Sequence, residues 1–327
     1  MTYSFCEIRK ICVTITMKTV KAVAPYIHPE YLNFKTAPYE AWVKCGGKTA
    51  KPHYPARLFH KLAFKHELPT LWKNKKEARL RFLEPISISF DTFPDYASYE
   101  VIPFVWDCWP KYFEKMCNWL QKHQVRTSIF TSSQTAERMR QRFPDMNIMY
   151  CPEAVNTSLY AEGKQLTERS IDLIEFGRHS NVNVNENVNT SFKYVCTKVN
   201  GKFVFTNEQL YEAMGDAKMT IALPRNYTQP WIAGDVETLT QRYWENMLSR
   251  MVMVGHAPKE LTDLIGYNPV IELDKERANE QLLDILAHIS DYQELVDRNR
   301  ETALQLGDWT LRMQEVMSWL QKCGYEI

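Results

Sequence analysis

The chain has 327 residues and a formal net charge of +1, and its 45% hydrophobic and 24% charged residues are typical of a globular protein with room for two domains of about 150 residues. The near-neutral charge argues against a general nucleic-acid binder. No apolar run approaches the ~20 residues of a membrane helix, and residues 1–23 lack the apolar core of a signal peptide. The eight cysteines form no CxxC pair, so we expect reduced thiols in a cytoplasmic protein.

One basic segment, residues 44–81, departs from this balance. It contains eleven lysines or arginines against only Glu67 and Glu77. Apolar residues are interleaved with the cations: Leu58, Phe59, Leu62, Phe64, Leu68, Leu71 and Trp72. Two interpretations stay open, namely peripheral binding to an anionic membrane on the inner face of the plasma membrane, and a solvated basic face packed on the core.

From about Val101 the chain alternates short apolar runs with amphipathic stretches, which predicts βα units and a parallel sheet. The first series consists of strand 101–107, helix 110–123, strand 125–133, helix 134–143 and strand 147–151. Pro110 is a residue typical of a helix start. Residues 1–100 match no pattern from which strands are predicted.

A second series follows the polar segment 152–170, which we interpret as a linker. Its predicted strands are 170–177, 192–198, 218–224, 252–256 and 268–273, and its predicted helices are 207–217, 239–251 and 258–266. Two further helices, Arg277–Ile289 and Tyr292–Lys322, end the pattern, and the last is a candidate to cross back to the first domain. The fold class predicted is α/β, with Rossmann-like domains at residues 1–155 and 156–327 facing a cleft, the usual place for a nucleotide. The Asn-rich run 180–191 is predicted to be a loop at the cleft rim.

The stretch ETLTQRYWENMLSR, residues 237–250, places two glutamates eight positions apart at the start of a predicted helix. Glu237 precedes the helix, Thr240 is a candidate cap, and Arg242 and Glu245 lie in its first turns. A sugar nucleotide needs cations and helix N–H groups for its diphosphate and carboxylates for its hydroxyls. About two such glutamate pairs arise by chance, and the chain has two, so Arg242 and Glu245 also suit an ordinary surface pair.

In its surroundings the motif resembles a known family. Residues 237–286 look like the donor half of GT-B glycosyltransferases, specifically the retaining "glycosyl transferases group 1" enzymes of bacterial surface-polysaccharide synthesis, whose two motif glutamates match Glu237 and Glu245. DLIEFGRHS (172–180) is similar to the family's strand ending in Gly-Arg. PEAVNTSLY (152–160) resembles its interdomain segment, and IPFVWDCWP (102–110) resembles the loop that faces the donor sugar.

The resemblance implies a GT-B fold, with an acceptor-side domain at 1–155 and a nucleotide-sugar domain at 156–327. It implies hexosyl transfer from a nucleotide-diphosphate sugar to a glycan or lipid-linked acceptor, with no cofactor. Glu237 would hold hydroxyls of the donor sugar, Glu245 the nucleotide ribose, and Arg178 and Arg242 would face the diphosphate. Gly177 and Thr240 complete the implied donor-binding residues. Glu237 and Arg178 are the implied catalytic residues. Because the chain has no DxD signature, we expect metal-independent transfer, with arginines and a helix N-terminus stabilising the leaving group.

The chain departs from the family at two places. Trp106 stands where the family usually has a histidine next to the donor sugar, so we expect the donor sugar or the details of catalysis to differ. Trp106 and Asp107 are candidate acceptor-side residues; Asp107 also suits a general base, and a turn-capping Asp107 is the simpler explanation. The family's lysine after Gly-Arg is missing, and Lys193 or Arg225 are the candidates for its charge. Two alternatives therefore stay open: a sugar-nucleotide epimerase or hydrolase on the same architecture, and a catalytically silent scaffolding subunit of a polysaccharide assembly complex.

Overall fold

The structure is a computed structural model that describes residues 17–25, 35–52, 69, 73–177, 180, 192–199 and 202–327. Arg178, the Asn-rich run 181–191 and the apolar members of the basic segment lie outside these residues. Within them the chain forms two parallel sheets flanked by helices, so the predicted two-sheet α/β fold is confirmed.

The first sheet has the strand order β14-β1-β3-β4-β5-β6, with β2 beside β1, and every pairing in it is parallel. The strands are β1 Lys18–Val23, β2 Thr49–Ala50, β3 Glu77–Leu83, β4 Glu100–Val105, β5 Thr127–Phe130, β6 Asn147–Tyr150 and β14 Tyr325–Glu326. The helices are α1 Thr36–Lys44, α2 Ile88–Asp91, α3 Asp95–Ser98, α4 Pro110–Lys122 and α5 Ser133–Arg142. Central β4 is buried along its whole length, which explains its nearly continuous apolar sequence.

The second sheet has the order β13-β12-β11-β7-β8 and is also parallel. Its strands are β7 Ile171–Glu175, β8 Tyr194–Cys196, β11 Ala217–Ala222, β12 Val252–Gly255 and β13 Val270–Glu272, and β9 Lys198–Val199 and β10 Lys202–Phe203 form a separate antiparallel pair. The helices are α6 Asn207–Gly215, α7 Arg225–Thr228, α8 Pro230–Ala233, α9 Gln241–Leu248, α10 Lys259–Ile265 and α11 Ala278–Ala287. Short 3-10 turns occur at Thr157–Leu159, Leu166–Glu168 and Ile289–Tyr292.

The prediction of one helix from Tyr292 to Lys322 is wrong, because the chain breaks between α12 Gln293–Leu306 and α13 Trp309–Lys322. At the break the Gly307 carbonyl accepts a hydrogen bond from the Val155 amide, and the Trp309 amide donates to the Val155 carbonyl. Gly307 also packs so closely on the Trp244 ring that a Cβ would lie 2.9 Å from it. After the break α13 packs on α1, and β14 pairs with β1 of the first sheet.

Two arginines of the basic segment are internal. Arg79 and Arg81 lie in β3 and are buried; the Arg81 guanidinium is 3.1 Å from Asp95, and that of Arg79 lies 3.7 Å above the Tyr99 ring. Because they are buried, Arg79 and Arg81 cannot contact a membrane, and the predicted basic surface loses these two cations. Among the helices that the structure describes, none is both long and apolar enough to cross a bilayer.

Candidate functional site

Loops at the carboxyl ends of the two sheets face each other across a cleft, as expected for paired Rossmann-like units. The loop after β4 meets the segment after β11: Arg225 Nη1 lies 3.3 Å from Asp107 Oδ2, and its guanidinium lies 5.2 Å from the Trp109 ring. Further along, α5 meets the loop before α9 through the pair Arg138 and Asp235, at 2.6 Å. The residues predicted in the donor half lie in or beside these loops.

Gly177 and Arg242 are brought together at the end of β7. Gly177 has φ +72°, a backbone conformation that favours glycine, and a Cβ there would lie 2.5 Å from Arg242 Nη2 and displace the end of that side chain. The Arg242 guanidinium also lies 5.6 Å from the Phe176 ring. Burial lowers the pKa of Arg242, whereas the nearby Glu245 carboxylate raises it. The predicted phosphate-binding Arg178 follows directly but lies outside the described residues.

Glu245 lies one turn after Arg242 on α9, in a protected position. Its Oε1 accepts a hydrogen bond of 3.0 Å from the Tyr160 hydroxyl, and the Tyr160 ring packs edge-on against Tyr211 at 5.0 Å. Burial raises the pKa of Glu245, an effect that Tyr160 and Arg242 oppose. One carboxylate oxygen is therefore engaged by the segment that joins the two sheets.

Thr240 occupies the N-cap of α9, but its side chain makes no capping hydrogen bond. A residue that the sequence did not single out supplies an acceptor for the first turn instead: Glu153 Oε2 accepts from the Gln241 amide at 3.0 Å. Burial raises the pKa of Glu153 well above its ordinary value, and the negative charge of Asp107 adds to this. The only sequence signal for Glu153 was a charged residue in the polar linker.

Glu237 is held from three directions. Its Oε1 lies 2.8 Å from His256 Nε2, its Oε2 lies 3.5 Å from the Lys259 amide at the start of α10, and its own amide donates to Gln134 Oε1 at 2.7 Å. The Glu237 side chain is 20% exposed. It is therefore oriented by neighbours and still accessible to a ligand.

His256 links Glu237 to Glu272, which with Glu280 forms the chain's other pair of glutamates eight positions apart. The His256 Nδ1 atom lies 2.9 Å from Glu272 Oε1, and the Tyr227 ring stacks on the imidazole at 4.8 Å. Both His256 and Glu272 stand at carboxyl ends of neighbouring strands, β12 and β13. Sequence spacing alone missed this contact, because it forms only when the parallel strands pair.

On the first-sheet side, the structure places Trp106 in the core. Its side chain is 2% exposed, stacks on Phe104 at 4.6 Å and packs edge-on against Trp309. Asp107 has φ +51° and is partly exposed beside Arg225. Lys193, by contrast, donates to Ser170 before β7, at the opposite end of that strand from Gly177, so of these two candidates Arg225 is the one that lies beside the cleft loops.

The described site offers cations, carboxylates and hydroxyls, and the described residues contain no group of three or more His, Cys, Asp or Glu arranged to hold a metal ion. Its carboxylates can accept hydrogen bonds from vicinal hydroxyls, and its guanidinium groups suit an anionic group such as a diphosphate. Trp231 on α8 is 69% exposed.

No protein-family model and no curated protein matches the chain. Solved structures do. Anabaena Alr3699/HepE, in complex with UDP and glucose, matches with a TM-score of 0.57 and 8% identity over 94% of this chain and 100% of HepE. A putative UDP-N-acetylglucosamine 2-epimerase from Listeria monocytogenes matches with a TM-score of 0.52 and 10% identity, over 95% and 99% of the two chains. AviGT4, a glycosyltransferase involved in avilamycin A biosynthesis, matches with a TM-score of 0.51 and 11% identity, over 94% and 98%. The chain therefore has the GT-B fold.

Proposed function

We propose that the protein is a glycosyltransferase that moves a hexose from a nucleotide-diphosphate sugar to a hydroxyl of a glycan or lipid-linked acceptor. The observation that carries this proposal is the packing of the Arg242 guanidinium on Gly177 at the end of β7. Arg242 shares α9 with Glu245, and Glu237 lies in the loop before that helix. The proposal is supported by the place of these residues in the fold, because open α/β sheets bind ligands at the carboxyl ends of their strands.

The chemistry assigns a role to each group. As the anomeric bond breaks, negative charge grows on the diphosphate, and Arg242, with Arg178 and Arg225, would stabilise it. Glu237 would accept hydrogen bonds from the sugar hydroxyls, and Glu245 from the ribose, where its second oxygen is not engaged by Tyr160. These roles need no metal, and we expect a chelator to leave activity unchanged.

The finer assignments extend the sequence resemblance. Retention of the anomeric configuration, surface-polysaccharide synthesis, an acceptor site that includes Asp107 and a cytoplasmic, membrane-peripheral location through the basic segment all belong to this proposal. Trp106 supports the acceptor site only indirectly, because it packs beneath the loop that carries Asp107. Lys75 and Lys76, which directly precede β3, are exposed and therefore available to contact a membrane surface.

Sugar-nucleotide epimerisation or hydrolysis is the second candidate, favoured by the similarity to the putative UDP-N-acetylglucosamine 2-epimerase over nearly the whole of both chains. An epimerase would return an intact sugar nucleotide with altered configuration. A hydrolase would release the nucleoside diphosphate and free sugar at the same rate with or without an acceptor. A scaffolding subunit would do neither.

The test is a panel of nucleotide sugars in which thermal shift, nucleotide release and sugar products are measured together. A transferase should be stabilised by its donor and release nucleotide slowly without acceptor and faster with one, and Glu245→Ala should lose both effects. Glu280→Ala is the matched control, because Glu280 is an exposed glutamate on α11 that pairs with Arg277. Absence of any stabilisation by the whole panel would contradict both enzyme proposals.

A further inference from the structure

Glu260 is a buried carboxylate that the proposed chemistry does not use. It lies in the first turn of α10 and is 9% exposed. Its two oxygens accept four hydrogen bonds, from the amide and hydroxyl of Ser133, the hydroxyl of Thr238 and the amide of Leu239. A carboxylate that gathers this many donors has a well-defined position.

The four donors come from opposite sides of the cleft. Oε1 takes the Ser133 amide at 2.6 Å and its hydroxyl at 2.7 Å, and Ser133 begins α5 of the first-sheet half. Oε2 takes the Thr238 hydroxyl at 3.0 Å and the Leu239 amide at 2.7 Å, both in the loop before α9. One carboxylate therefore joins the two halves, with one oxygen serving each side.

The same two elements hold Glu237. Its amide donates to Gln134, the residue after Ser133, and its Oε2 faces the amide of Lys259, the residue before Glu260. Thr238 and Leu239 follow Glu237 directly along the chain. The position of Glu237 is consequently determined by the first turns of α5 and α10, and Glu260 is the side chain that joins those turns.

A carboxylate is the group that fits this position. It has acceptor sites on both oxygens, whereas the amide of glutamine would direct N–H groups at one pair of donors. Burial raises the pKa of Glu260, and its hydrogen bonds to Leu239, Ser133 and Thr238 lower it. Loss of these bonds would leave polar groups buried without partners, which is strongly unfavourable.

We propose that Glu260 is a positioning residue that fixes the Glu237 loop against the first turn of α5, and so orients Glu237 toward the donor sugar. This inference rests on the proposed function for its effect on turnover. Its structural basis, the joining of two halves by one carboxylate, is independent of that function.

The test compares Glu260→Gln with Glu280→Gln, which makes the same chemical change on an exposed glutamate of α11. Because a displacement of about 1 Å in a reacting site costs on the order of 100-fold in rate, Glu260→Gln should lower kcat about 100-fold. The KM for the nucleotide sugar should change far less, and Glu280→Gln should resemble wild type. Thr238→Val removes one of the four hydrogen bonds to Glu260 and should give a smaller decrease in kcat. This variant tests the positioning role even if Glu260→Gln does not fold.

Amide hydrogen exchange separates this inference from the proposed function, because it needs no donor. In Glu260→Gln the amides of Ser133, Glu237 and Leu239 should exchange faster than in wild type. Unchanged exchange at these amides, or an unchanged kcat in both Glu260→Gln and Thr238→Val, would overturn the positioning role. If Glu260→Gln exchanges faster than wild type at these amides but the wild-type protein binds no nucleotide sugar, the positioning role stands and only the proposed function is contradicted.

Discussion

At the first-sheet edge of the cleft two large aromatic side chains are buried, Trp106 in the first-sheet core and Trp109 against Ala233 and Val236, whereas at the second-sheet edge Glu237 and Arg242 lie at the entry to α9. The first edge contributes mainly contacts that hold loops, such as Ser133 on Glu260 and Gln134 on Glu237. The second edge contributes most of the groups with ligand-binding chemistry. In this cleft, residues of the first-sheet half therefore hold in place loops of the second-sheet half, which carry most of the candidate ligand-binding groups.

The largest effect should come from Glu237. Glu237→Gln keeps the shape of the side chain but removes the charge that pairs with His256 and accepts hydroxyls, so nucleotide release from the donor should fall about 100-fold. Steady-state kinetics with the donor identified by the panel measure this. Glu272→Gln, which changes the other carboxylate in contact with His256, should have a much smaller effect. An equal loss of nucleotide release in the two variants would contradict a specific role of Glu237.

The next effect should come from Gly177, with Gly266 as its control. Both have positive φ, +72° and +80°, but a Cβ at Gly266 would contact nothing within 4 Å, whereas one at Gly177 would displace Arg242. Each alanine variant should lose about 1–2 kcal/mol of unfolding free energy through backbone strain. Only Gly177→Ala should also weaken donor binding, by about tenfold if one charge-assisted hydrogen bond is lost. Urea unfolding measures the loss of stability, and calorimetric titration measures the donor affinity of each variant. Equal donor affinities in Gly177→Ala and Gly266→Ala would contradict the donor-binding role of Arg242.

A third effect concerns pH and Glu153. Because burial raises its pKa, the folded protein keeps this proton at pH values where the unfolded chain has released it. The stability that Glu153 contributes is therefore complete below the ordinary glutamate pKa of about 4.3 and is lost as pH rises toward the raised value. Glu153→Gln should flatten this decline and increase the unfolding free energy at pH 7. Denaturant titrations from pH 4 to 8 measure the slope, and an unchanged slope would contradict the assignment.

The smallest effect should come from the pair that crosses the cleft at its rim. Asp107→Asn removes the charge facing Arg225, yet Asp107 is 37% exposed, so solvent screens the interaction and less than about 1 kcal/mol of stability should be lost. Thermal unfolding at low and high salt measures it, and the difference from wild type should shrink as salt increases. A larger change in acceptor KM than in stability would favour the proposed acceptor contact.

Much of the fold was predictable because its strands are short apolar runs separated by amphipathic helices, as in β4, α4 and β5. The first strands were missed for a physical reason. Strand β3 carries Arg79 and Arg81, which are tolerated in the interior because Asp95 pairs with Arg81, while Tyr99 and the nearby Glu77 contact Arg79. No local pattern in the sequence reveals Asp95 and Tyr99 as partners before the chain has folded.

The candidate site was predictable in part for the same reason. The pair Glu237 and Glu245 could be located because helix entry and spacing are local properties. Glu153, His256 and Glu260 could not, since each acquires its partner through tertiary structure: Glu153 meets Gln241, His256 meets Glu272 and Glu260 meets Ser133. The location of Trp106 likewise depends on Trp309, which lies two hundred positions along the chain.

The break at Gly307 has a consequence for the order in which the protein can fold during synthesis. Residues 309–326 carry α13 and β14, which pack on α1 and pair with β1, and Trp309, Met313 and Leu320 complete the apolar core of the first sheet. The ribosome makes these residues only after the whole second half. The first half thus emerges with an incomplete core, exposed for the time needed to translate more than 150 further residues, at about 5–20 residues per second. This is the period in which binding by a chaperone would matter most to this chain.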